Sequence, residues 1–366
     1  MQIIYIHKDR FAKRPPVISA LLILSDLGYE VTLIDEEVSD YWQGQFRERQ
    51  IAFVETHTQA KGNALVKLLS YYRFQKRVYM ALSRIVKSPS DTIVWVEGAQ
   101  TIVALGKRLN NFRHILQIQE LHEKSTRQKK AIARVIHTAE AVFMPEYCRT
   151  LLYKVWYRLE KTPVPLPNKP YMLLEETKSN EILQRYEEQL AGIKGKHVIL
   201  YQGGIKRIRL LDRVARAIKE LGDNYHLLVV GAEQEQGVIA ELKAITTEVT
   251  HIDFIPAPDY LAFCSIAHIG YVVYQPNSLN NIFCAPNKIF EYAAFGLPVI
   301  GNDIPGLKFP IEQNKAGVIV SPDDIESIAE GIRQIEADYA SYSEGARNLF
   351  LSIDNKRTIQ KTLEKL

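Results

Sequence analysis

Residues 2–34, QIIYIHKDRFAKRPPVISALLILSDLGYEVTLI, contain the strand–helix–strand unit that sets the fold class of this chain. The runs at 2–6 and 31–34 are short, apolar and rich in β-branched residues, as is typical of buried parallel strands. Between them, apolar residues at helical spacing from Val17 to Leu27 predict a helix that ends at Gly28. Units of this kind build parallel α/β sheets.

The same alternation continues along the chain and is interrupted once. Residues 162–170, TPVPLPNKP, contain four prolines and predict a stiff extended linker. Alternation restarts after it, and the tail from about residue 325 is predicted to be helical. We expect two Rossmann-like, doubly wound parallel-sheet domains of the α/β class that face each other across a cleft. The predicted division is 1–165 and 166–344, with a C-terminal helix at about 345–366 that packs back on the first domain.

Composition indicates a folded protein of the cytoplasm. The chain is 46% hydrophobic and 24% charged, and no stretch of 18 apolar residues occurs in it. Its first residues predict a strand instead of a signal peptide. The three cysteines (Cys148, Cys264 and Cys284) follow no metal spacing and indicate ordinary thiols in a reducing compartment.

The segment 285–300, APNKIFEYAAFGLPVI, contains the most informative pattern. Pro286 suits the first position of a helix, whose free N–H groups and dipole favour a phosphate. Asn287 and Glu291 are four residues apart and share one helix face. A carboxylate one turn into the helix is suited to accept two hydrogen bonds from a ribose diol. An isolated glutamate would instead indicate an ordinary surface residue.

PNKIFEY at 286–292, followed by GLPVI at 296–300, resembles the nucleotide-sugar site of retaining glycosyltransferases of the GT-B fold, close to glycosyltransferase family 4 (glycosyl transferases group 1). The resemblance implies that Glu291 binds the donor ribose and that Lys288 lies in the donor site. It also implies the GT-B fold for the whole chain and a hexose-type sugar as the transferred group.

A second match follows a predicted strand, in YQGGIKRIR at 201–209. Glycines at this place let the main chain approach a pyrophosphate, although a plain tight turn is an alternative. The family has arginine directly after the first glycine, Gly203, and lysine five residues later. By that count Gly204 and Arg209 occupy these positions. Lys206, Arg207 or Lys288 is then expected to supply the missing charge.

A further departure lies at Phe283, where many family members have a glutamate that contacts the transferred sugar. We expect main-chain N–H groups of the loop from about Asn281 to Ala285 to bind the sugar hydroxyls instead. The chain contains no Asp-x-Asp motif, which enzymes that hold a diphosphate through Mg²⁺ use. The predicted site therefore needs neither a metal nor another cofactor.

QELHE at 119–123 follows a predicted strand and is expected at the rim of the cleft. The family often has a histidine near this point, so His122 is predicted to contact the donor sugar or the acceptor hydroxyl. Glu120 is a candidate proton acceptor. An exposed polar loop is the alternative interpretation. Glu97 and His7, which also follow strands, are weaker candidates for the acceptor pocket.

Residues 61–88 contain seven lysines and arginines and no acidic residue, with leucines and tyrosines interleaved. Residues 1–165 as a whole carry 25 Lys+Arg against 16 Asp+Glu. A basic amphipathic helix suits an anionic membrane surface, here the inner face of the cell membrane, and then favours a lipid-linked acceptor. The alternative is a helix that packs on the sheet and exposes a solvated basic face. Nucleic acid is a poorer partner, since no nucleic-acid module is present.

The sequence thus predicts a retaining transferase that passes a sugar from a UDP-sugar to a glycan or lipid-linked acceptor in bacterial surface polysaccharide or glycoconjugate synthesis. Uridine, guanosine and adenosine donors are not distinguished by the residues. A nucleotide-sugar epimerase of the same fold is one rival. A non-catalytic subunit that supports a partner transferase is the other, because positions 204 and 283 depart from the family.

Overall fold

The computed structural model describes residues 1–60 and 62–366, and at Lys13 the main chain. Lys61, the first residue of the basic segment, lies outside the described residues. The chain divides into two compact units. Unit 1 comprises Met1–Tyr171 together with Asp354–Leu366, and unit 2 comprises Met172–Ile353.

Unit 1 is built on a parallel sheet with the strand order β3-β2-β1-β4-β5-β6-β7. Its strands are β1 (Gln2–His7), β2 (Glu30–Asp35), β3 (Ala52–Glu55), β4 (Thr92–Glu97), β5 (His114–Gln117), β6 (Ala141–Met144) and β7 (Val164–Pro165). The helices that connect them are α1 (Pro15–Asp26), α2 (Asp40–Glu48), α3 (Ala64–Ile85), α4 (Ala99–Leu105), α5 (Thr126–Ala133) and α6 (Tyr147–Trp156). Strands β1 and β4 are buried along their whole length, as the apolar runs predicted.

Unit 2 is built on a second parallel sheet with the order β10-β9-β8-β11-β12-β13. Its strands are β8 (His197–Gln202), β9 (Tyr225–Val230), β10 (Val249–Ile252), β11 (Ile269–Val272), β12 (Val299–Asn302) and β13 (Gly317–Val320). Its helices are α7 (Glu176–Gln184), α8 (Leu211–Leu221), α9 (Val238–Ile245), α10 (Leu279–Ile282), α11 (Asn287–Ala294), α12 (Pro305–Gln313), α13 (Ile325–Ala337) and α14 (Tyr339–Leu351). Apolar clusters cover both faces of this sheet, so the strands read as continuous apolar runs.

The last helix, α15 (Asn355–Leu363), belongs to unit 1. Ile359 is fully buried, and α15 packs on α1. The Asn355 side chain donates a hydrogen bond to the carbonyl of Pro167 at 2.8 Å. The division of the chain therefore lies at Ile353–Asp354, not near residue 345, and the first division lies at Tyr171–Met172, not at 165–166. The predicted tail helix is two helices, and α14 stays in unit 2.

The proline-rich segment 162–170 is not only a linker. Val164 and Pro165 form the edge strand β7 beside β6. Proline is compatible with an edge strand, because its missing N–H group removes no hydrogen bond from the interior of the sheet. Among the described residues, no helix has both the length and the apolar character needed to span a bilayer.

Helix α11 is positioned by a contact that only glycine permits. A Cβ atom at Gly270 in β11 would lie 2.2 Å from the Tyr292 ring. The Tyr292 hydroxyl accepts a hydrogen bond from the N–H of Gln202 at 3.1 Å and donates one to the carbonyl of Leu200 at 3.3 Å. Tyr292 thus ties α11 to both β8 and β11.

Gly270→Ala should therefore destabilise unit 2. We expect a loss of about 1–3 kcal/mol in the free energy of unfolding, as for overpacked cores. In a unit of this size, the midpoint falls by about 2–4 °C for each kcal/mol. Gly192→Ala is the matched control, because a Cβ there meets its nearest atom at 3.8 Å. Equal midpoints for the two variants in thermal unfolding would contradict the tight contact.

Candidate functional site

The predicted donor residues lie at the carboxyl ends of the strands of unit 2. Strand β8 leads into Gly203 and Gly204, and β11 leads into the segment before α11. Strands β8 and β11 are neighbours, while the connection from β8 runs to β9 on the other side. This is the switch point of a doubly wound sheet, where ligands of such folds bind.

Glu291 is the buried carboxylate of this region and is 3% exposed. It accepts a hydrogen bond from the hydroxyl of Tyr260, whose carbonyl in turn accepts one from the Gln202 side chain at 2.7 Å. Burial raises the pKa of Glu291 to about 7, although Tyr260 and Lys288 both favour the ionised form. A carboxyl that changes charge near neutral pH is typical of a functional position.

Lys288 lies on the same helix, three residues before Glu291. Its Nζ is 5.3 Å from the centre of the Tyr201 ring. A Cβ atom at Gly203 would lie 3.0 Å from this Nζ, and Gly203 has a φ of +126°. Burial and the nearby Arg209 lower the pKa of Lys288 to about 8, while Glu291 acts in the opposite direction. With a pKa of about 8, Lys288 is still largely cationic at neutral pH.

Arg209 is the second cation of the region. Its guanidinium carbon lies 4.3 Å from the centre of the Tyr274 ring. Its Nη1 donates to the carbonyl of Val273 at 3.5 Å, whereas its buried Nε has no hydrogen-bond partner among the described residues. Two cations beside a glycine loop and an underused donor make an arrangement that suits an anion.

The missing arginine at Gly204 has a local explanation. A Cβ atom at Gly204 would lie 2.6 Å from the carboxamide of Gln234, which occupies the space that a side chain would need. Arg207 does not replace this charge, because it pairs with Glu235 at 2.6 Å and also with Glu241. Lys206 is exposed. Of the three residues that we predicted to supply the missing positive charge, Lys288 is the one whose side chain lies next to Gly203.

The sugar-binding loop that we predicted at 281–285 uses most of its N–H groups internally. The N–H of Asn281 donates to the Ser278 hydroxyl at 3.2 Å, and the three following N–H groups donate to carbonyls of residues 278, 279 and 281. The Asn281 side chain donates to the carbonyl of Gln275 at 3.0 Å. The N–H groups of residues 281–284 are thus occupied by hydrogen bonds within α10 and directly after it, and a contact of this loop with the sugar stays a prediction.

The start of α11 also differs slightly from the prediction. Pro286 is the residue before the first helical residue and has extended backbone angles, so Asn287 begins the helix. Ala285 and Asn287 are both partly buried. Gly296 ends the helix in a left-handed conformation with a φ of +69°, as the sequence indicated.

The predicted acceptor residues lie in unit 1, after β5. His122 has an unusual positive φ of +56° and is partly buried. Burial lowers the pKa of His122, although Glu120 and Glu123 oppose the change. Glu120 is exposed, and its carboxylate lies 3.8 Å from the guanidinium of Arg149. His122 is therefore a neutral donor and acceptor at physiological pH.

A row of buried polar residues at the carboxyl ends of β2, β1 and β4 is better organised than the sequence suggested. His7 contacts Asp35 at 2.7 Å through Nδ1 and Glu97 at 3.4 Å through Nε2. Burial acts to lower the pKa of His7, but the two carboxylates outweigh it and raise this pKa. Each of the three residues ends a strand, and this was the only sequence signal for the row.

One cavity of unit 2, which is not the largest, lies outside the candidate donor site. Its volume is about 660 Å³, and it opens where β8 begins, at the opposite end of this strand from Gly203. Its apolar wall includes Leu183, Leu190, Ile193 and Ile266. We assign the site by its polar groups, since none of the predicted donor residues lines this cavity.

The raised pKa of Glu291 predicts a specific pH dependence of stability. The pKa of Glu291 in the folded state lies above its usual value. The contribution of this carboxyl to the free energy of unfolding is therefore present at low pH and is lost as the pH rises through about 7. We expect about 3 kcal/mol of stability to be lost on this account between pH 5 and pH 8. Urea unfolding across this range should show the loss in wild type but not in Glu291→Gln; the same dependence in both would contradict the assignment.

Comparison with known proteins agrees with this geometry. Residues 196–338 match the family model described as glycosyl transferases group 1. No curated protein matches the sequence significantly. Anabaena HepE in complex with UDP-glucose has a similar structure, with a TM-score of 0.73 at 12% identity over 100% of this chain and 99% of that one.

Two further solved structures cover the whole length of the chain. A glycosyltransferase from Rickettsia africae has a TM-score of 0.70 at 14% identity, over 99% of this chain and 97% of that one. Sucrose-phosphate synthase from Thermosynechococcus elongatus has a TM-score of 0.65 at 15% identity, over 99% and 95%. The chain therefore has the GT-B fold of two Rossmann-like domains, and its residues 196–338 match the glycosyl transferases group 1 family.

Proposed function

We propose that the chain transfers a hexose-type sugar from a UDP-sugar to a glycan or lipid-linked acceptor. The observation that carries the proposal is the placement of a buried carboxyl, Glu291, and a cation, Lys288, on one helix beside Gly203. The match of residues 196–338 supports the reaction class. The complex of HepE with UDP-glucose favours uridine among the possible nucleotides.

In this proposal Glu291 accepts hydrogen bonds from the ribose hydroxyls. The diphosphate lies against the first turn of α11, where free N–H groups and the helix dipole favour an anion. Lys288 and Arg209 flank it, and the loop at Gly203 allows close approach of the main chain. These groups stabilise the charge that develops on the leaving diphosphate, which is electrostatic catalysis.

The chemistry that we propose proceeds with retention of configuration and without a metal. The bond between the sugar C1 and the diphosphate breaks, and the acceptor oxygen bonds to C1 on the same face. The acceptor proton passes to the departing phosphate oxygen, so the enzyme needs no base of its own. His122 then orients the acceptor or the sugar, and Glu120 remains an alternative proton acceptor. Synthesis of a surface polysaccharide or glycoconjugate is the biological role that fits such a reaction.

Nucleotide binding provides the first test. UDP at a hundred times its Kd should add about 2.7 kcal/mol of stability and raise the unfolding midpoint by roughly 5–10 °C. Glu291→Ala should lose most of this shift, because the ribose loses its acceptor. Glu344→Gln is the matched control, since Glu344 is an exposed glutamate of unit 2. Equal shifts in the two variants would remove Glu291 from the site, and a larger shift with GDP or ADP would change the predicted base.

His122 separates binding from transfer. Loss of a hydrogen bond in the transition state costs about 1–3 kcal/mol, or roughly 5- to 150-fold in kcat/KM. We expect His122→Ala to lower transfer by this factor while UDP binding to unit 2 stays unchanged.

Product analysis by NMR would show the anomeric configuration, and activity in excess EDTA would test metal independence. Inversion or loss of activity in EDTA would contradict the proposed mechanism.

The second candidate is a non-catalytic subunit that binds nucleotide and supports a partner transferase. Phe283 and Gly204 favour it, because both replace charged residues of the family, and Gln234 fills the space beside Gly204. Turnover by the purified chain alone separates the two candidates. An epimerase would release an isomerised sugar without consuming an acceptor.

A further inference from the structure

Helix α3 exposes a stripe of large apolar side chains. Leu65, Leu68, Leu69 and Tyr72 are 75%, 59%, 46% and 61% exposed. Their spacing of three and four residues places them on one face of the helix. A contiguous exposed apolar face on a folded protein marks an interaction surface more often than isolated leucines do.

The opposite face of α3 holds the helix firmly in unit 1. Phe74, Val78 and Leu82 are at most 1% exposed. The hydroxyl of Tyr79 donates a hydrogen bond to the carbonyl of Leu105 at 2.9 Å. Burial of the exposed stripe on the sheet would require the helix to rotate and to expose this set. The stripe is therefore a fixed outward surface. Packing of α3 on the sheet, the alternative interpretation of this segment, accounts for the inner apolar face of the helix but not for the stripe.

Cations border the stripe. Arg73, Arg77 and Arg84 recur at helical spacing along one flank and are exposed. The neighbouring helix α5 adds Arg127, whose guanidinium lies 4.9 Å from the ring of Tyr71. Residues 62–88 and 124–139 contain no aspartate or glutamate. Cations thus lie along one flank of the apolar stripe and on α5, while Asp9, from another part of unit 1, is close enough for its charge to act on Tyr71.

We propose that the outward face of α3 docks on an anionic phospholipid surface. The apolar side chains would enter the boundary between headgroups and acyl chains, and the cations would contact lipid phosphates. A second copy of this chain is a poor occupant, since pairing the same face would bring like charges together. The surface does not depend on the donor site. It bears on the proposed function because a chain docked in this way would meet a lipid-linked acceptor.

Vesicle flotation of the full chain tests the proposal. We use vesicles of 70% phosphatidylcholine and 30% phosphatidylglycerol, with pure phosphatidylcholine as the neutral reference. Wild type should float with the anionic vesicles at 50 mM salt and detach at 0.5 M, because salt screens exposed charges. Leu68→Ser/Tyr72→Ser and Arg73→Glu/Arg84→Glu should each lower the partition coefficient at least about tenfold.

Matched controls lie in unit 2. Leu351→Ser removes a leucine that is 73% exposed, and Arg216→Glu/Lys219→Glu reverses two exposed cations. Both should bind vesicles like wild type, and circular dichroism should show that all variants are folded. Absence of wild-type flotation at 50 mM salt would overturn the proposal, as would unaltered flotation of Leu68→Ser/Tyr72→Ser. A wild-type dimer that this variant disrupts, without flotation, would assign the face to a second copy.

The donor test and the flotation test fail independently. A chain that floats but does not bind UDP would retain the docking surface and lose the proposed donor. A chain that binds UDP but does not float would retain the donor site and lose the membrane surface.

Discussion

The contact between Tyr292 and Gly270 is the constraint on which the proposed donor site depends. The Tyr292 ring lies where any larger residue at 270 would stand, and its hydroxyl bonds to the main chain of β8. This single side chain therefore sets the distance of α11 from two central strands. Behind α11, helix α14 packs closely, and a Cβ at Gly296 would lie 2.7 Å from the Arg347 side chain. Glu291, next to Tyr292 in sequence, inherits its position from this packing.

Burial and charge oppose each other at the site, and the balance decides its chemistry. Glu291 is buried far enough to favour its neutral form, yet Tyr260 and Lys288 both favour the carboxylate. Lys288 experiences the reverse, because burial and Arg209 weaken its charge while Glu291 supports it. The pKa of Glu291, about 7, and that of Lys288, about 8, thus both lie close to neutral pH. An incoming diphosphate would favour the charged lysine, so binding itself would tune the protonation of the pair.

Much of the fold could be predicted from local patterns, because parallel strands that are buried on both faces read as apolar runs. The unit β1-α1-β2 followed directly from such runs, and Glu291 followed from a motif confined to one helix. Strand β7 could not be predicted, because it consists of two residues in a proline-rich segment and is defined only by its pairing with β6. Tyr260 was hidden for a similar reason: it reaches Glu291 from a segment 31 residues away. The outward stripe of α3 needed the structure, because composition does not tell which apolar face packs on the sheet.

The position of α15, which follows unit 2 in the chain but belongs to unit 1, has a consequence for the order of synthesis and folding. Unit 2 is one uninterrupted segment, Met172–Ile353, whereas unit 1 consists of two segments. Helix α1 precedes unit 2 along the chain, but its partner α15 follows unit 2. Unit 2 has all its residues before unit 1 can complete its core. A premature stop after Ile353 would therefore leave the segment of unit 2 whole and remove a part of unit 1, most of which is synthesised before unit 2.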